Sequence, residues 1–198
     1  MKNLILLLAL LIAAASLSGC KKETKETSEP EEVFESTAKK TLTEEKLKQM
    51  IDSASIKVYK EKRYGVMVPY PDFFEVDTTS SPSTGRFNYP FLADDSINLS
   101  TGIGLVMFVE ENIEKWNIKE AIQNLEDSIT VCVGHGKDYF ILSGYMENYP
   151  IIHSIEKCFL VDGNWINYTL YYDIRYENAV ERLIKMVKEW QPWEKEKK

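Results

Sequence analysis

The sequence predicts an α+β domain, a mostly antiparallel sheet with helices packed on it, folded as a single unit. Three observations predict it. Apolar residues recur at helical spacing around Leu47, Ala121 and Leu183. Residues 129–133, 139–145, 151–161 and 165–172 instead read as successive strands, separated by Gly134-His135-Gly136, Asn148-Tyr149-Pro150 and Asp162-Gly163. Of these turns Asp162-Gly163 is the firmest, because the pair favours a two-residue hairpin turn with positive φ. Its register places Phe159 beside Ile166 and Ile155 beside Leu170 on one face, with Leu160 beside Trp165 on the other.

The elements follow in order. Thr41 with Glu44 reads as a capping box for a helix over about 42–54, with Leu47, Met50, Ile51 and Ala54 as its apolar stripe. Tyr64, Val66 and Val68 then alternate as a strand that Pro69-Tyr70-Pro71 should break. Residues 80–85 read as a loop, 86–89 as a short strand and 103–109 as a buried strand. Asn117 caps a second helix with Glu120 at the reciprocal position, and Ile118, Ala121, Ile122 and Leu125 form its stripe. A final helix over about 175–190 presents Ala179, Val180, Leu183, Ile184 and Val187, and Pro192 stops it. Because both faces of the meander carry apolar pairs, both should be covered.

Composition narrows the function classes. The chain has 198 residues, 44% apolar and 12% aromatic, enough for one real core and too many apolar side chains for wholesale disorder. Its net charge is -7, and losing residues 1–19, whose only charged side chain is Lys2, makes it more negative still. Nucleic acid is therefore excluded as a partner.

Residues 4–15 are continuously apolar behind Lys2, the layout of a secretory signal and shorter than the roughly 20 residues that span a bilayer. The following Leu17-Ser18-Gly19-Cys20 resembles the lipobox of bacterial lipoproteins. The resemblance implies cleavage before Cys20, lipidation of its thiol, acylation of the new N-terminus and stable anchoring to a membrane. Lys21 is not the aspartate of inner-membrane retention, so the resemblance favours the outer membrane. The organisation expected is a lipoprotein signal peptide at 1–19 and a lipidated, flexible charged tether at 20–41. An α+β domain at 42–193 and a charged tail at 194–198 complete it.

The early element at 64–69, the central helix, the meander and the closing helix together resemble the photosystem P-subunit-like (PsbP-like) fold and its bacterial lipoprotein relatives. That family includes accessory and assembly-related proteins without a shared catalytic site, so the resemblance implies architecture and little chemistry.

Searches for chemistry return little. There is no G-x-S-x-G elbow, C-x-x-C or H-E-x-x-H, and Asp94-Asp95 near Asn98 lacks the pattern of a calcium loop. No catalytic residue, cofactor or metal is assigned. His135 reads as an exposed turn residue and His153 as a packing histidine on a strand. Cys132 and Cys158 are candidates for a disulfide or for two free, apolar thiols. Trp165, Tyr168, Tyr171 and Tyr172 with His153 are candidates for a ligand groove, or else for core packing. The function expected is a lipid-anchored cell-envelope binding or accessory module without enzymatic activity, held to the membrane by the lipid on Cys20 and meeting an envelope protein or a glycan. The second reading is a lipid-anchored, hydrolase-like enzyme with dispersed site residues.

Overall fold

Asp162 and Gly163 have φ of 49° and 76°, the two positive angles a type I′ turn demands. The strands they join pair as expected: Trp165 opposite Leu160, Ile166 opposite Phe159 and Leu170 opposite Ile155. A single residue of slip would have turned every one of these side chains to the wrong face.

The computed structural model describes residues 41–77, 83–93, 100–147 and 149–193 of the unit Ala38–Lys198. The signal segment, Cys20, the tether before Thr41, residues 78–82, the Asp94-Asp95-Asn98 cluster and the tail 194–198 lie outside the described residues. The strands are β1 (Thr41–Leu42), β2 (Ile56–Lys60), β3 (Met67–Pro71), β4 (Glu75–Asp77), β5 (Thr84–Ala93), β6 (Ser100–Glu111), β7 (Thr130–His135), β8 (Tyr139–Met146), β9 (Tyr149–Val161) and β10 (Asn164–Asp173). Helices α1 (Glu44–Ser53), α2 (Ile118–Leu125) and α3 (Glu181–Glu189) accompany them. The main sheet runs β1-β5-β6-β10-β9-β8-β7 with β4 beside β5, and β2 and β3 form a separate pair. Among the described residues only β1 lies parallel to its neighbour; the remaining pairings are antiparallel. This is the α+β architecture the sequence predicts.

Side chains alternate across each strand, so the two faces of the sheet acquire separate cores. On one face Phe87, Leu105, Met107, Ile155, Phe159, Ile166, Tyr168 and Leu170 pack against Leu47 and Ile51 of α1 and Leu183 and Val187 of α3. On the other face α2 lays Ala121, Ile118, Ile122 and Leu125 over Phe140, Leu142, Cys158 and Trp165. Both faces are covered, but α2 is 8 residues long and spans about 12 Å, so its cover is local.

Hydrogen bonds join the pieces at chain ends, where backbone groups lack partners. The last turn of α1 contains no basic residue; Arg182 of α3 supplies the charge, donating to the carbonyls of Ile51, Asp52 (3.0 Å) and Ala54 (3.1 Å). The Trp190 indole donates to the Met67 carbonyl at 2.7 Å, and the Met67 amide to the Pro192 carbonyl at 2.8 Å. These bonds tie the two-stranded pair to the end of α3.

Several elements differ from expectation. The N-cap of α1 is Thr43, whose hydroxyl accepts from the Lys46 amide at 3.3 Å; Thr41 is instead drawn into β1. Pro69 and Pro71 do not break the strand but belong to β3, opposite Val58 and Ile56. A two-stranded sheet leaves alternate N–H positions unpaired, and proline fits there. Thr84 and Gly85 belong to β5, which is longer than the 86–89 strand expected. Gly134 and His135 continue β7 through a bulge after Cys132, so His135 is exposed on a strand end rather than at a hairpin tip. The final helix begins only at Glu181. Asp173 caps a preceding 3-10 turn, Ile174–Tyr176, by accepting from the Arg175 amide at 3.0 Å, and the Tyr176 hydroxyl is held by the Leu42 carbonyl at 3.0 Å. Tertiary anchors thus outweigh the helical periodicity of that stretch. The capping box of α2, by contrast, forms between Asn117 and Glu120 as predicted.

Candidate functional site

The aromatic groove expected from β10 does not form. Tyr168 and Tyr172 point to the α3 face and are fully buried, whereas Trp165 packs under α2, edge-on to Phe140 at 5.5 Å between ring centroids. Tyr171 shares the Trp165 face by strand alternation. The period of two therefore divides the proposed lining between opposite sides of the sheet. His153 stands opposite Tyr172, on the α3 face.

Nor can Cys132 and Cys158 bond. Cys132 pairs with Leu142 and Cys158 with Phe140, so β8 lies between them. Next-nearest strands stand about 9–10 Å apart, beyond the roughly 7 Å limit of a disulfide. Both thiols are free, Cys158 wholly buried. Burial pushes the Cys158 thiol well above its ordinary pKa, helped by the carboxylates of Glu156 and Glu110.

Three arrangements remain with chemical potential. The first is a hydrogen-bonded chain on the α3 face. His153 Nδ1 lies 2.6 Å from the Tyr172 hydroxyl and Nε2 lies 3.2 Å from Ser143 Oγ. Burial lowers the pKa of His153, opposed by the nearby Glu177 carboxylate. Burial also raises that of Tyr172, with Glu177 adding to the effect. If Nδ1 carries the proton, Nε2 is free to accept from Ser143, the relationship of base to nucleophile. Ser143, however, lies mid-strand between Val131 and Ile155, where ladder pairing engages its backbone and leaves no amide pair to hold an oxyanion.

The second lies on the α2 face. Thr169 Oγ1 donates to Glu156 Oε1 at 3.1 Å, and Asn167 Nδ2 reaches Glu110 Oε1 at 3.4 Å. Desolvation pushes the Glu156 carboxyl up to about 7, lowered by the Thr169 bond and raised again by Glu110. Residue 156 keeps some exposed surface, but it is the enclosure of its carboxyl group that governs the titration. Glu156 carries no motif in the sequence; its only local signal is the charged pair Glu156-Lys157 set between Ile155 and Cys158 in a strand.

The third is the outer end of the sheet. Val131 and Val133 of β7 are 50% and 48% exposed, Tyr149 61%, and Tyr145 and Ile151 are exposed beside them. No charged side chain occurs from Ser128 to Gly136. The amides of Thr130 and Cys132 are nevertheless already bonded, to Asp127 Oδ1 and Glu126 Oε1, each at 2.7 Å. The edge is thus partly sealed against an added strand, while its apolar side chains stay open to water.

Among the described residues no group of three or more His, Cys, Asp and Glu is placed to hold a metal ion, and no helix is long and apolar enough to cross a membrane. What the fold and these surfaces define is an α+β domain with one helix-lined and one partly covered sheet face. No known family profile and no curated protein matches the chain. Among solved structures it is similar to the cyanobacterial PsbP protein (CyanoP) of Synechocystis sp. PCC 6803, with 15% identity over 68% of this chain and 90% of that one, at a TM-score of 0.43. This is a weak likeness of fold.

Proposed function

We propose that the chain is a lipid-anchored protein of the bacterial cell envelope, held in the outer membrane by acyl chains on Cys20, and that its domain is a binding module for an envelope protein rather than an enzyme. The 4–20 segment supports the anchoring. The observation that carries the binding role is the set of exposed apolar side chains Val131, Val133, Tyr145, Tyr149 and Ile151 at this end of the sheet. A contiguous apolar patch on a monomer surface marks an interaction site. Because Asp127 and Glu126 occupy the edge amides, the partner packs on side chains instead of extending the sheet.

Photo-crosslinking in the native envelope tests this. A benzophenone side chain at position 131 should give a discrete adduct, and the same group at Lys119, exposed on α2, should not. No adduct from position 131 would remove the docking surface.

The Ser143–His153 bond at 3.2 Å favours a second, hydrolase-like reading. Under it a fluorophosphonate labels Ser143 at neutral pH and the Ser143→Ala variant escapes; an unlabelled native chain excludes it.

A further inference from the structure

A cleft of about 490 Å³ opens beside the β9–β10 turn, lined by Tyr64, Val161, Asp162, Asn164, Ile166 and Trp193. We propose that it binds a neutral saccharide, with one pyranose ring packed on Trp193.

The lining selects the ligand class by charge and shape. Its volume falls within the roughly 300–1,000 Å³ of small-molecule pockets. The lining residues are two aromatic, two aliphatic, one acidic and one amide. A pyranose presents one face of C–H groups and a rim of hydroxyls. The first suits an indole and the second suits planar Asp and Asn side chains, which accept and donate in one plane. An anionic ligand meets the carboxylate of Asp162, the one charged residue of the lining, while the neighbouring Arg63 lies against the Tyr64 ring and does not line the cleft. An organic cation would suit two aromatics and a carboxylate, but the Arg63 guanidinium already lies over the Tyr64 ring, 5.1 Å from its centroid, and repels a second positive charge. A fatty chain would leave Asp162 and Asn164 facing hydrocarbon.

The site is also held in place before any ligand arrives. The turn fixes Asp162 at φ 49°, Asn164 Nδ2 donates to the Asp162 carbonyl at 3.1 Å, and the Trp193 indole donates to the Tyr64 carbonyl at 3.4 Å. Trp193 is nevertheless 39% exposed, so part of its surface is open to a ligand. Pre-positioned groups lose little freedom on binding, which favours measurable affinity at a small site.

The test uses the full-length chain in detergent, labelled with 5-fluorotryptophan. The sequence has four tryptophans, and the Trp193→Phe variant assigns the signal of interest. Cellobiose, maltose and chitobiose are titrated to about 10 mM, a range that detects millimolar binding. At least one should shift the Trp193 resonance saturably while the other three stay fixed. Asn164→Ala, at the first residue of β10, should weaken the response at least about fivefold, the loss of a single hydrogen bond, with the urea midpoint measured beside it to confirm that the fold is kept. The proposal is overturned if no sugar moves the signal, if all four signals move together, or if choline chloride moves it and the sugars do not.

Discussion

The ammonium of Lys157 is buried and donates to the Trp190 carbonyl at 2.8 Å. It reaches the Lys188 carbonyl as well, at 2.9 Å, and lies 4.5 Å from the centroid of the Tyr139 ring. A cation from the centre of β9 therefore closes the C-terminus of α3, where carbonyls lack partners and the helix dipole is negative. Burial lowers the pKa of this lysine and Glu189 opposes the shift.

Lys157→Met keeps most of the side-chain volume and removes the donor. It should lower stability by about 1–3 kcal/mol, the cost of leaving buried carbonyls unpaired, read as a shift in the urea midpoint. An unchanged midpoint would show that the cap contributes nothing.

Glu156 should make stability depend on pH. Its carboxyl titrates at about 7 in the fold and near 4.3 when unfolded, so the native state holds the extra proton between these values. Its contribution is complete below about 4.3 and is lost as pH rises to 7. Glu156→Gln should gain on the order of 4 kcal/mol over the native chain at pH 8 and nothing at pH 4. Equal differences at both pH values would contradict the buried-acid account.

The two strand thiols should behave differently. Cys132 is partly exposed and Cys158 wholly buried with a raised pKa, and the thiolate is the reactive form. Mass analysis of mature protein under non-reducing conditions should find both alkylatable after unfolding, with Cys132 alone reacting in the native state. Recovery of a covalent pair would overturn the placement of β8 between β7 and β9.

Cys20→Ala should abolish incorporation of labelled palmitate and leave an unprocessed precursor. Labelling that survives the substitution refutes the lipidation site.

Local signals proved readable where a few residues determine the outcome. Asp162-Gly163 specified both a turn and a register because positive φ is costly elsewhere, and Asn117 with Glu120 specified a helix start because four orphan amides need acceptors. The stretch 174–180 misled, since its helical periodicity yields to Asp173 and to the distant carbonyl of Leu42. Pro69 and Pro71 misled for a similar reason: only the partner strand decides which amides are needed.

The amino-acid order alone determined the class of fold, the succession of the four strands β7 to β10 and the pairing of β9 with β10, each a matter of short-range geometry and alternating polarity. Which side chains meet across long separations was decided in three dimensions. Strand alternation parted Trp165 from Tyr168, the strand between them kept Cys132 from Cys158, and closure of the chain brought Trp193 to Tyr64, Lys157 to Trp190 and Ser143 to His153. Sequence spacing carries the period of a strand, but not the identity of whatever packs against it, and function on this domain belongs to those encounters.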